Sequence, residues 1–116
     1  MAHGFADMKK MGMVIRFQPN KLEEYKALHA APWPEMEVAL RKANICNYSI
    51  FLQEPDNLLF GYWEYVGADF AADMSALGAL DITKRWLALT APCQQPMRTG
   101  GQGWSFMPQI YHLDPQ

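Results

Sequence analysis

The sequence predicts an α+β sandwich of the ferredoxin-like kind, β-α-β-β-α-β, with one antiparallel sheet covered by helices on one face. Three observations carry this. Four stretches, 11–18, 45–53, 58–66 and 104–113, read as strands from alternating or β-branched and aromatic residues. Helical spacing fills the intervals between the first and second stretch and between the third and fourth. The run Glu54-Pro55-Asp56-Asn57 is a turn signal that joins the middle two as a hairpin. With 116 residues the chain is one domain, read as a loose leader over 1–9 and a single domain over 10–116.

Taken in order, Met11, Met13, Ile15 and Phe17 share one face of the first strand, which Pro19-Asn20 ends. A helix capped by Asn20 would carry Leu22, Tyr25, Leu28 and His29 on its inward stripe, and Pro32 stops it. Pro34 opens a second helix, with Glu35 and Glu37 in its first turn and Arg41 and Lys42 in its last, the favourable arrangement against the helix dipole. On the second strand Cys46, Tyr48, Ile50 and Leu52 share a face. On the third, Gly61 marks a bulge or a close approach, and Glu64 stands on the side of Phe60 and Tyr62. A helix spans 69–77, Gly78 interrupts, and Asp81 caps another that runs to Ala91 with Ile82, Trp86 and Leu89 inward. Residues 92–103 form a long loop of the kind used for binding or as a lid. Pro108 gives the last strand an edge position or a bulge. With Met11 to Phe17 on one face of the sheet and Leu59, Trp63 and Tyr65 on the other, two short helices cannot cover both, so the sheets of two subunits are expected to pack as a homodimer.

Composition excludes several classes. The net charge is −2, half of the residues are hydrophobic and 19% are charged, so nucleic acid and anionic membrane are poor partners. Cys46 and Cys93 lack any CxxC or zinc spacing, which fits free thiols in a reducing, cytoplasmic compartment. Neither a signal-type apolar run nor a transmembrane-length one is present in the sequence given.

The chemistry rests on His29, the histidine outside the two ends and the best proton-transfer group in the chain, or else a hydrogen-bonded core histidine. Tyr25, one turn earlier, can reach the same ligand. Trp33, Tyr48, Tyr62, Trp63, Trp86 and Trp104 are core residues taken singly. Several of them beside a histidine suit a small sugar, whose C–H faces lie on aromatic rings. Arg16 and Arg85 read as surface charges with buried stems, and His112 as an edge-strand surface residue or a second acid-base group. Tyr25 or Glu64 could orient His29 or its substrate.

The ordered set Glu24-Tyr25-x-x-x-His29, Pro32-x-Pro34-Glu35, Asn47-Tyr48-Ser49-Ile50 with Leu52, Asn57-Leu58-Leu59-Phe60 and Arg85-Trp86 resembles the L-rhamnose mutarotase family, from about residue 11 to 113. The resemblance implies a homodimeric α+β fold, no cofactor, and interconversion of the α and β anomers of a 6-deoxy-hexopyranose. It also implies that His29 is the proton donor and that Tyr25, Tyr48, Trp86 and the neighbouring Leu87 bind the sugar. Leu87 stands where the family usually has a second tryptophan, and the loop before the last strand also departs from the family pattern, so L-fucose stands beside L-rhamnose as substrate. Cofactor-independent monooxygenases and haem-handling proteins of the same dimeric fold are the alternative, and a sugar- or peptide-sensing module without turnover is a third reading.

Overall fold

The computed structural model describes residues 8–98, 100–101 and 103–115. Residues 1–7 of the expected leader lie outside the described residues, and strand β1 (Lys9–Phe17) already includes Lys9. It is followed by helices α1 (Leu22–Ala30) and α2 (Pro34–Lys42), strands β2 (Ile45–Gln53) and β3 (Leu58–Tyr65), helices α3 (Phe70–Ala79) and α4 (Asp81–Thr90), and the short strands β4 (Gln94–Gln95) and β5 (Ser105–Met107). The strand order is β2-β3-β1-β4, with β5 also on β1 and every pairing antiparallel. The ferredoxin-like fold is therefore present, with each expected helical interval holding two helices.

Asn20 does not cap α1. It sits inside a 3-10 turn, Pro19–Lys21, and the helix begins at Leu22 without a side-chain cap. Asp69 does cap α3, its Oδ1 accepting from the Ala72 amide at 3.1 Å. Gly78 does not interrupt; α3 runs through it and ends only where Leu80 turns extended, ψ 141°. Leu80 rather than Asp81 is thus the N-cap of α4, and Asp81 accepts from Arg85 instead. On α4 the buried side chains are Ile82, Thr83 and Thr90, while Leu89 is exposed.

The β1–β3 register pairs Met11 with Trp63, Met13 with Gly61 and Ile15 with Leu59. Directly paired residues share a face. The two apolar sets expected on opposite faces therefore lie together under the helices. Phe17, Ile15 and Leu59 pack with Leu22, Tyr25 and Cys93, and Tyr65 and Ile45 pack with Met36, Ala39, Leu77 and Ile82. Gly61 is a close approach, because a Cβ there would stand 2.9 Å from Met13 Cγ and 3.3 Å from the Trp104 ring. The uncovered face instead carries Phe60, Tyr62 and Glu64 from β3, with Val14 and Phe51 beside them.

The β2–β3 pairing is irregular between Cys46 and Ser49, where Asn47 takes φ +50°. The extra residue reverses the alternation. Cys46 pairs with Glu64 on the uncovered side and Ile45 takes the core position, whereas strict alternation from Tyr48 had assigned that face to Cys46. The last strand is also shorter than expected. Gln94–Gln95, read as loop, pairs with Phe17 and Arg16, and β5 stops at Pro108, which has no N–H for the ladder. Among the described residues no helix is long and apolar enough to cross a membrane.

The bulge makes a testable difference between neighbours. Ile45→Ala should cost about 2–5 kcal/mol of unfolding free energy in urea titration, as for any fully buried large aliphatic, and Cys46→Ala should cost clearly less. The reverse order would mean that the strand runs without the bulge.

Candidate active site

Pro32 cannot continue α1, and the residue before a proline is pushed out of the helical region, so the helix ends at Ala30 with His29 in its last turn. There His29 Nδ1 lies 2.9 Å from the carbonyl oxygen of Tyr25. A carbonyl can only accept, so Nδ1 carries the hydrogen and donates it, and Nε2 is left for a ligand. The Tyr25 ring supports the imidazole from below, centroids 4.3 Å apart, and Trp86 on α4 meets it edge-on at 5.4 Å. Trp33, in the two-proline link between α1 and α2, meets Trp86 in turn at 5.1 Å.

Arg85 braces this wall from outside. Its guanidinium lies 5.8 Å from the Trp33 ring centre, its Nε donates to Asp81 at 2.9 Å, and its Nη2 stands 3.9 Å from Glu35. It thus ties the first turn of α2 to α4. The expected surface charge has a packing role.

A cavity of about 590 Å³ opens between α2, β2 and α4. His29, Trp33, Trp86 and Tyr48 line its aromatic part, and Glu37, Arg41 and Asn47 its polar part. Tyr48 is held upright by an edge-on contact with Trp63 at 5.0 Å. Burial, and then the neighbouring Tyr25, push the Tyr48 hydroxyl well above the usual phenol range. Burial likewise pushes Tyr25 up to about 12, partly offset by the Gln94 amide that donates to its oxygen at 3.3 Å. Both phenols stay protonated at neutral pH, as hydrogen-bonding groups rather than bases.

Of the residues singled out in the sequence, the fold gathers His29, Tyr48 and Trp86 around this cavity. Tyr25 does not line it, because its ring is buried under His29 against Ile15, Phe17 and Cys93. Leu87 does not line it either; one residue past Trp86 the helix has turned by about 100°, and the side chain is half exposed. Glu64 points to the uncovered sheet face, where Asn47 donates to it at 2.6 Å and Tyr62 at 2.7 Å, holding its carboxyl below the usual range. His112 lies on the exposed tail beside Asp114. The loop after β4 leaves from the sheet edge opposite β2, and its Met97 carbonyl accepts from half-buried Arg16 at 2.8 Å. None of its described residues lines the cavity. Trp33, one of the aromatics offered for a sugar-binding pocket, is a wall residue; sequence reading missed Glu37 and Arg41, whose i, i+4 spacing on one face of α2, following Trp33 four residues earlier, was the available signal. Among the described residues no three His, Cys, Asp or Glu side chains converge as a metal site requires.

The fold and this cavity define a ferredoxin-like α+β protein in which His29 is set among aromatic side chains at the wall of a cavity that suits a small polar ring. A family model described as L-rhamnose mutarotase matches residues 10–113. An L-rhamnose mutarotase of Oceanobacillus iheyensis is 30% identical over 107 residues, covering 92% of this chain and all of that one. The crystal structure of an L-rhamnose mutarotase from Formosa agariphila superposes with a TM-score of 0.71 at 22% identity, covering 91% of this chain and 99% of that one. Tetracenomycin F2 cyclase from Streptomyces glaucescens shares the fold, with a TM-score of 0.68 at 12% identity over 93% of this chain and 99% of that one. The chain belongs to the L-rhamnose mutarotase family, and a mutarotase is an isomerase.

The brace predicts a local response. Arg85→Met should move the indole N–H signals of Trp33 and Trp86 in a ¹H–¹⁵N spectrum and leave those of Trp63 and Trp104 in place, with a stability loss of about 0.5–1 kcal/mol, the usual worth of an exposed cation–π contact. Uniform shifts of all four would refute a local clamp.

Proposed function

We propose that this protein interconverts the α and β anomers of a 6-deoxy-hexopyranose, L-rhamnose or L-fucose, with His29 as the proton donor. The observation that carries the reading is the His29–Tyr25 hydrogen bond: with Nδ1 committed to a carbonyl, the imidazolium has one proton left to give, on Nε2, beside the aromatic wall. The proton goes to the ring oxygen O5, the C1–O5 bond breaks toward it, and the anomeric O1–H loses its proton to solvent, leaving an open-chain aldehyde. After rotation about C1–C2, the same steps in reverse close the ring on the other face and return the proton to His29. Acid-base help of this kind contributes about 10²- to 10⁴-fold.

Tyr48 and Trp86 hold the sugar on this reading, and Trp33 joins them. Tyr25 positions His29 instead of touching the ring. The family membership favours this chemistry over the monooxygenase and haem alternatives, because likeness to neighbours such as the cyclase extends to the fold alone. Exchange NMR on the anomeric protons of equilibrated L-rhamnose, and separately L-fucose, tests it. Wild type should speed α/β exchange of at least one, and His29→Ala should lose most of the enhancement. No acceleration of either sugar would sink the assignment.

The homodimer is part of the same reading. Phe51 is 63% exposed on the uncovered sheet face, and the tail beyond β5 holds out Ile110 at 95% and Leu113 at 74%. A second copy supplies matching apolar surface by symmetry. Light scattering should give twice the chain mass for wild type and a shift toward monomer for Phe51→Asp; an unchanged mass in both would count against an interface on this face.

A further inference from the structure

We propose that the polar half of the cavity is a subsite for a second sugar ring, so that the substrates include reducing saccharides whose reducing-end 6-deoxyhexose stands at His29. The proposal rests on the mutarotase reading and extends it. Length is the first argument. From Trp33 to Arg41 the wall follows eight residues of chain, most of them helical, about 12 Å at 1.5 Å per residue, which is longer than one pyranose ring. The volume of about 590 Å³ is in the range that holds ligands larger than a monosaccharide.

Chemistry is the second argument. His29, Trp86 and Trp33 form one aromatic cluster, whereas Glu37 and Arg41, one and two helical turns beyond Trp33 along the same wall, bring an acceptor and a fork of donors. Neither Glu37 nor Arg41 is held in an ion pair among the described residues. A carboxylate and a guanidinium one helical turn apart nearly cancel, which suits a neutral polyhydroxyl ring better than a phosphate or a carboxylate.

Ring geometry supplies the direction. In a pyranose, C4 lies across the ring from C1 and C3 across from O5. With C1 and O5 at His29, a substituent on O3 or O4 points away from the histidine, along the groove toward Arg41.

The test measures anomeric exchange for the free 6-deoxyhexose and for a disaccharide carrying a sugar on O4 of the same hexose at its reducing end. It uses wild type and the double variant Glu37→Gln/Arg41→Met. Wild type should accelerate both, and the double variant should lower kcat/KM for the disaccharide about ten-fold more than for the hexose, the size expected for losing one or two hydrogen bonds to charged groups. Acceleration of the hexose without the disaccharide would overturn the subsite and leave the mutarotase reading standing. An equal loss for both substrates would place Glu37 and Arg41 on the reacting ring and also overturn it. Acceleration of neither would overturn both.

Discussion

The bond from His29 Nδ1 to the Tyr25 carbonyl closes the last turn of α1, and the arrangement of the site follows from it. A helix leaves its last carbonyls without intrahelical partners or only loosely held, so a side-chain donor one turn on is a natural mate. Pro32 makes that end abrupt. The link that follows contains Trp33 between two prolines, and it is the length of this link that drops Trp33 onto Trp86 and turns α2 back along β2. The imidazole is thereby fixed by one hydrogen bond and two aromatic contacts before any ligand arrives.

The opposite wall depends on a local defect in the sheet. At the bulge, Asn47 adopts a left-handed conformation that asparagine tolerates better than most residues. The irregularity lets Ile45 and Tyr48 both serve the helical side, one in the core and one in the cavity. Without it, alternation would send one of them to the uncovered face. Gly61 plays the complementary part on the next strand, since the absence of a side chain lets Met13 and Trp104 close over the sheet. A second polar cluster fixes α3 on the other side: Tyr65 and Asn44 both donate to Asp73, whose carboxyl is held below its usual range by them. Tyr65 also accepts from the Asp69 amide, so one phenol joins the end of β3 to the start of α3.

Proteins with this fold and different chemistry superpose on the chain nearly as well as a family member does, with TM-scores of 0.68 and 0.71. The backbone therefore does not separate the reactions. Function on such a fold resides in the side chains that the common scaffold carries.

The sequence by itself determined the element order, the hairpin and the end of α1, because proline, turn residues and hydrophobic period act locally. It also carried the family, through motifs spread along the chain that are specific only together. The tertiary structure decided which of the aromatic residues stand around the histidine. It kept Trp33, Tyr48 and Trp86, buried Tyr25 beneath the imidazole and turned Leu87 outward. It moved Glu64 to the far face, put both apolar strand faces on the same side and drew Gln94 into the sheet. These outcomes depend on strand register and helix packing, which are set by contacts between residues distant in the chain, and a single bulged residue is enough to reverse the facing of every position beyond it.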